Sequence, residues 1–278
     1  MAEILKKIVN NRLMLIREEK KALSLEKLKD DVAGKISLPY EPVNFLSNYD
    51  QDKPFLIAEI KRASPSKGMI REDLDVGEIS GAYHNSPFVS AISVLSEPDF
   101  FSGSYKNINL AASAHCVEFL RKGISGPLPI LMKDFIVDEY QVYRGFMEGA
   151  SAFLLIASIL SDSEIVQLRD IAIKLGMEVL FEVHSSEEYK RAIDLDMKII
   201  GINNRDLRTF EVDIGNTVDI LASEGKSTGK IVISESGIHS KDDIDTLLRG
   251  GADGFLVGEH FMTSRDIEGS IRRLMDDK

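Results

Sequence analysis

The stretch PFLIAEIKRASPSKG, Pro54 to Gly68, sets an apolar run against a glutamate and a lysine two residues apart and then breaks into small loop-forming residues. Successive residues of a strand point to opposite faces, so Phe55, Ile57, Glu59 and Lys61 share one face. The first half of that face suits a protein interior. The last turn carries opposite charges, which are almost never buried without partners.

Similar apolar runs recur along the chain with helical segments between them: FLIAEIK, AISVLS, PILMKDF, AFLLIAS, EVLFEV, IIGINN, IVISES and GFLVGE, eight in all. Continuous Val, Ile and Leu imply strands covered on both faces, and alternation with helices implies parallel βαβ units. Eight such units within 278 residues predict one α/β domain, a (β/α)8 TIM barrel over residues 55–278, rather than an open doubly wound sheet. No G-x-G-x-x-G follows the first strand, which argues against dinucleotide binding.

The connecting helices carry their own boundaries. Ser161 with Glu164, Ser185 with Glu188 and Ser240 with Asp243 have capping-box spacing. Gly176 and the pair Gly250, Gly251 supply stops, and Ile165, Leu168, Ala172 and Leu175 fall on one helical face. Residues 1–54 stand outside this rhythm, with helices expected near 2–19 and 25–33 followed by a loop, SLPYEPVNF. They read as an N-terminal helical extension packed on the barrel, placed to cover one end.

In such a barrel the C-terminal strand ends build the active site. Alternation turns Glu59 and Lys61 inward from the first strand, Leu131, Lys133 and Phe135 from the third, Leu180 and Glu182 from the fifth, and Gly201, Asn203 and Arg205 from the sixth. A single inward charge is explained as well by a structural ion pair as by chemistry. Four strands ending this way are a costly route to stability alone. The last two strands end in SESGIHS and VGEHFM, where Ser236, Gly237, Gly258 and Glu259 allow close backbone approach at the place where many barrels hold a phosphate group.

The net charge of −11 argues against nucleic acid as partner. One cysteine, Cys116, excludes an intramolecular disulfide and fits a cytoplasmic protein; it falls in a helix and is expected to be a small core residue. The five histidines show no H-x-H or H-E-x-x-H spacing, so no metal site is expected. His184 lies near the rim and is read as pointing away from the interior. The N-terminal MAEILKKIVNNRLMLIREEKK mixes apolar and charged residues with helical spacing, unlike a signal peptide or membrane span.

The segments ILKKIVNNR, IAEIKRASPSKG, FFSGSY, PILMKDFIVDEYQ, GINNRDL and SESGI, in that order, resemble the signature segments of the indole-3-glycerol phosphate synthase family, and the resemblance spans essentially the whole chain. It implies ring closure of 1-(2-carboxyphenylamino)-1-deoxyribulose 5-phosphate to indole-3-glycerol phosphate with loss of carbon dioxide and water, and neither cofactor nor metal. By resemblance, Lys133 is the general acid of ring closure. Lys61 and Glu182 share the donor and acceptor roles of the dehydration, in either order, and Glu59 holds the lysines and substrate hydroxyls. Asn203, Arg205 and Ser236 bind substrate, Arg205 meeting a carboxylate, while Phe101 and Phe135 wall the aromatic ring.

Ser64, Gly237, Gly258 and Glu259 match the anion cradle. Many family members carry a small hydroxyl residue where this chain has Glu259, so Glu259 is expected to offer its backbone N–H with the carboxylate turned outward. The partner implied is a phosphorylated small molecule, without nucleic acid or membrane, and the chain is expected to act as a monomer, with a homodimer as the alternative. Two other phosphate-binding barrels fit less well. Phosphoribosylanthranilate isomerase calls for a cysteine at the end of the first strand, and the tryptophan synthase α subunit lacks the paired lysines. A silent scaffold barrel would have lost a proton-transfer group, yet Glu59, Lys61, Lys133 and Glu182 are all present.

Overall fold

The computed structural model describes residues 3–37, 42–122 and 126–276, with the side chains of 115–122 outside that description. All eight apolar runs are strands: β1 Phe55–Ile60, β2 Val89–Leu95, β3 Ile130–Lys133, β4 Ala152–Ile156, β5 Glu178–Val183, β6 Ile199–Asn203, β7 Ile231–Glu235 and β8 Gly254–Val257. Each pairs in parallel with its chain neighbours, and β8 closes onto β1, giving a (β/α)8 barrel. In the loop after β1, Ala63–Ser64 pairs antiparallel with Gly68–Met69.

Alternation along the strands divides the core in two. Phe55, Ile57, Leu131, Leu154, Leu180, Ile199, Ile231, Ile233 and Leu256 fill the barrel interior. Their outward neighbours, among them Leu56, Ile92, Phe153, Phe181, Ile200 and Phe255, pack under the surrounding helices. This double burial is why the strands read as unbroken apolar runs.

The ring of helices follows as α3 Val76–His84, α4 Tyr105–Lys122, α5 Glu139–Glu148, α6 Asp162–Lys174, α7 Ser186–Asp194, α8 Gly215–Glu224 and α9 Lys241–Arg249, then α10 Glu259–Met262 and α11 Ile267–Met275. Reciprocal capping boxes open α6 and α9 at Ser161 and Ser240. At α7 only half of the box forms: Ser185 accepts from Glu188 N, while the Glu188 carboxylate accepts from His184 N at 2.8 Å. Gly176 and Gly251 follow α6 and α9 in the left-handed region, where a side chain would be strained.

The N-terminal segment forms α1 Glu3–Ala22 and α2 Leu25–Ile36, each slightly longer than its spacing predicts. Arg12 of α1 is fully buried and meets both Asp134 carboxylate oxygens at 3.0 and 3.1 Å, the Tyr105 hydroxyl at 2.7 Å and Glu19 at 3.0 Å. Below the opposite end, Phe45 is fully buried among the interior side chains and packs edge-on against Phe55 at 5.8 Å between ring centroids. Residues 38–41 of the expected loop lie outside the described residues, as does the side chain of Cys116 on α4.

Candidate active site

A cavity of about 1190 Å³, its mouth included, opens at the C-terminal ends of the strands. Every site residue singled out from the sequence lines it, from Glu59 and Lys61 on the first strand to Gly258 and Glu259 after the last. At its floor, the Lys133 ammonium lies 3.2 Å from Glu182 Oε2 and donates also to Glu235 Oε2. Lys61 Nζ donates to Glu59 Oε1 at 2.6 Å. Two lysines and three carboxylates thus form one cluster, with Glu59, Glu182 and Glu235 buried.

Register explains the grouping. Glu182 lies level with Gly201 on β6, and Asn203 lies level with Glu235 on β7. A Cβ at position 201 would collide with Glu235 Oε1, so glycine leaves the space that the carboxylate fills. Gly258 does the same for Glu59, whose Oε1 a Cβ there would strike.

Burial disfavours the charged form of Lys133, but Glu235, Glu182 and Glu59 outweigh it and hold the lysine's pKa above its ordinary value. Burial likewise acts against the Glu182 carboxylate, yet Lys133, His184 and Asn203 keep its pKa below the usual range. Glu235 differs: burial, with the nearby charges of Glu182 and Glu59, exceeds the pull of Lys133 and raises its pKa to about 7. Its Oε1 is buried without a hydrogen-bond partner. The cluster holds one acid that is firmly charged, one carboxylate that is firmly ionised and one that sits near its midpoint at neutral pH.

Around the rim, Ser236 adopts the left-handed conformation at φ 69° and donates from Oγ to Asn203 Oδ1 at 2.9 Å. A non-glycine residue held there is strained, and such strain collects at functional turns. The rings of Phe101 and Phe135 lie 6.0 Å apart and form one apolar wall. Phe101 is placed by Glu97, a fully buried carboxylate that accepts the backbone N–H groups of Asp99, Phe100 and Phe101 at 3.2, 2.7 and 3.0 Å. Ser64 lies within 3.4 Å of Ser66, Oγ to Oγ.

Two orientations differ from expectation. His184 points toward the interior, its Nε2 3.4 Å from Glu182 Oε1 and its Nδ1 3.5 Å from Glu188 Oε2. Residues two apart on an extended chain share a face, and His184 follows Glu182 in that way. The Glu259 carboxylate is not turned out to solvent. It lies along the mouth, 3.3 Å from Lys67 Nζ and 3.7 Å from Arg205 Nη2, because those cations compensate it there.

Three contributors escaped the sequence reading. Glu235 was legible, since Ile231, Ile233 and Glu235 alternate onto the interior face as Glu59 does. Ile4, Leu5 and Ile8 of α1 line the cavity, as do Leu207 and Phe210. Nothing local in the sequence marks these, because their role depends on how α1 and the loop after β6 are laid across the mouth.

Among the described residues, no group of three or more His, Cys, Asp and Glu side chains is arranged to hold a metal ion. Residues 5–274 match the family described as indole-3-glycerol phosphate synthase. An indole-3-glycerol phosphate synthase of Prochlorococcus marinus is 41% identical over 279 residues, covering 98% of this chain and 89% of that protein. One of Dehalococcoides mccartyi is 40% identical over 272 residues, covering 98% of this chain and all of that protein. Among solved structures, a 3-hexulose-6-phosphate synthase superposes with a TM-score of 0.59 at 13% identity, over 80% of this chain and 98% of that one. A thiamine phosphate pyrophosphorylase from Pyrococcus furiosus gives 0.55 at 14% identity, over 81% and 94%. These two likenesses concern the barrel fold alone.

Proposed function

The chain belongs to the indole-3-glycerol phosphate synthase family, and from that premise we propose which of its residues carry the reaction. The enzyme is a carboxy-lyase of tryptophan biosynthesis, closing the pyrrole ring of 1-(2-carboxyphenylamino)-1-deoxyribulose 5-phosphate with loss of carbon dioxide and water. One observation supports the assignment of roles above the rest: the Lys133 ammonium, buried between Glu182 and Glu235 on separate strands.

Ring closure puts negative charge on the ribulose carbonyl oxygen as the carboxylate-bearing ring carbon attacks C2. A fixed cation at that oxygen stabilises the charge and supplies its proton, which is the role of Lys133. Carbon dioxide then leaves as aromaticity returns. Dehydration requires one donor for the departing hydroxyl and one acceptor for the ring-amine proton. Glu182, kept ionised by Lys133, His184 and Asn203, is in the form that can accept a proton, and Lys61, ion-paired to Glu59, suits the donor.

Asn203 and Ser236, already hydrogen-bonded to each other, orient the substrate hydroxyls. Arg205 meets the anthranilate carboxylate, for which its planar fork is matched. Phe101 and Phe135 flank the ring, and Ser64 with the backbone at Gly237, Gly258 and Glu259 receives the phosphate. On the same reading, residues 1–54 are an extension serving a catalytic barrel of residues 55–278, and the enzyme works in the cytoplasm as a monomer. Among the described residues no helix is long and apolar enough to cross a membrane.

The test is turnover of the carboxyphenylamino-deoxyribulose phosphate, followed by the fluorescence of the indole product. The parent protein is expected to turn over and Lys133→Met to lose at least about 10²-fold in kcat while remaining folded. An unchanged rate in the folded variant would remove Lys133 from its role.

A further inference from the structure

The carboxylate of Glu259 is a negative side chain at the rim where a dianionic phosphate is to be held. It directly follows Gly258 of the cradle. Its two oxygens face two cations from different parts of the chain: Oε1 lies 3.3 Å from Lys67 in the loop after β1, and Oε2 lies 3.7 Å from Arg205 in the segment after β6. Each contact is loose and partly exposed, the side chains of Lys67, Glu259 and Arg205 being 56%, 26% and 20% accessible. Such pairs are weak and exchange readily.

We propose that Glu259 is an internal counter-anion, which holds Lys67 and Arg205 at the mouth of the ligand-free enzyme and competes for them with the two anionic groups of the substrate, the phosphate for Lys67 and the carboxylate for Arg205. The proposal rests on the assignment of the phosphate cradle to this rim. Two features separate it from an incidental surface pair. The cations are delivered by two separate segments at the mouth of the same cavity, both of which contribute other lining residues, Ser64 to Ser66 from one and Leu207 and Phe210 from the other. Arg205 is also tied into its own turn, donating from Nη1 to Phe210 O at 3.2 Å and pairing through its backbone with Val212, so it reaches Glu259 from a fixed base.

The electrostatic consequence has a definite sign. With Glu259 ionised, an arriving phosphate gains Lys67 only by displacing a carboxylate that remains beside it. With the charge removed, Lys67 is free to meet the phosphate and the repulsion is gone. Binding of phosphate-bearing ligands therefore tightens in Glu259→Gln, whereas loss of a merely structural contact would weaken it. The part of the gain that passes through Lys67 is shared by substrate and product, since both carry the phosphate. That part appears in KM and in product affinity alike, and product release slows.

The experiment is calorimetric titration of the full-length parent and Glu259→Gln proteins with glycerol 3-phosphate and, separately, with glycerol. Glycerol 3-phosphate is expected to bind the variant at least about threefold more tightly at low salt, the difference shrinking as ionic strength rises, with no change for glycerol. Lys67→Met in the parent is expected to weaken glycerol 3-phosphate binding, and its effect to be larger in the Glu259→Gln background, where Lys67 faces the phosphate alone. Equal or weaker binding by Glu259→Gln would overturn the counter-anion role and leave the phosphate cradle standing. Failure of glycerol 3-phosphate to bind the parent at all would overturn the cradle itself.

Discussion

Gly201 and Glu235 occupy one space: the carboxylate of Glu235 fills the volume that a Cβ on Gly201 would take. The two residues lie on adjacent strands, and the glycine lets the barrel interior hold three carboxylates on one level. Gly201→Ala therefore has to push Glu235 off Lys133. The expected result is a fall in kcat on the order of 10²-fold, as for other angstrom-scale misplacements of catalytic groups. Steady-state kinetics beside a thermal melt would check it; a folded variant with parental kcat would mean that Glu235 tolerates displacement.

The raised pKa of Glu235 makes a prediction about stability. Its pKa is about 7 in the folded protein and near 4.5 in the unfolded chain, so the folded state binds the extra proton between those values. The stability this supplies is fully present below about pH 4.5 and is lost as pH rises through 7. Glu235→Gln cannot ionise, so its stability relative to the parent should climb between pH 5 and pH 8. Urea melts across that range would show the divergence, and parallel curves would contradict it.

Arg12 and Asp134 form a buried, bidentate pair joining α1 to the residue after Lys133. Replacing Arg12 with methionine leaves the Asp134 carboxylate buried without its cation, which costs about 3–5 kcal/mol. Denaturant titration should report that loss. Activity measured well below the melting range should fall as well, because Asp134 also accepts the Phe135 N–H at 2.8 Å and the Ser96 hydroxyl at 2.8 Å, fixing the strand end that carries Lys133, the proposed general acid.

Phe45 offers the contrasting case. It is fully buried at the end of the barrel remote from the site, against Phe55. Truncation to alanine should cost about 3–5 kcal/mol through the cavity it leaves. Because Phe45 packs on Phe55, at the start of β1 and far along the strand from Glu59 and Lys61, kcat at low temperature should stay within about twofold of the parent. A large loss of kcat without loss of stability would be the contrary outcome.

The barrel was legible because its strands are buried on both faces and so announce themselves as apolar runs, and because a period of two assigns Glu59, Lys61, Lys133 and Glu182 to the interior without further information. The same rule reaches Glu235 and His184; the Ser and Gly residues after Glu235 drew attention to the phosphate loop instead, and the end of β5 at Val183 concealed that His184 continues the alternation. Ile4, Leu5, Ile8 and Arg12 were not legible in their roles. On an amphipathic helix an arginine reads as solvated until a buried aspartate 122 residues away is brought against it.

The position of Arg12 has a consequence for how the cavity is filled and emptied. One helix carries three apolar residues of the wall and, one turn further on, the guanidinium locked to the neighbour of Lys133. That side of the mouth is a fixed jamb, since moving it would tear a buried ion pair. Passage of substrate and product is expected on the other side, where Lys67 of the loop after β1 and Arg205 of the segment after β6 are each held by a partly exposed pair with Glu259. The chamber then has a loosely held side and a firmly held one, and Lys133, the proposed proton donor, is mounted beside the firm one.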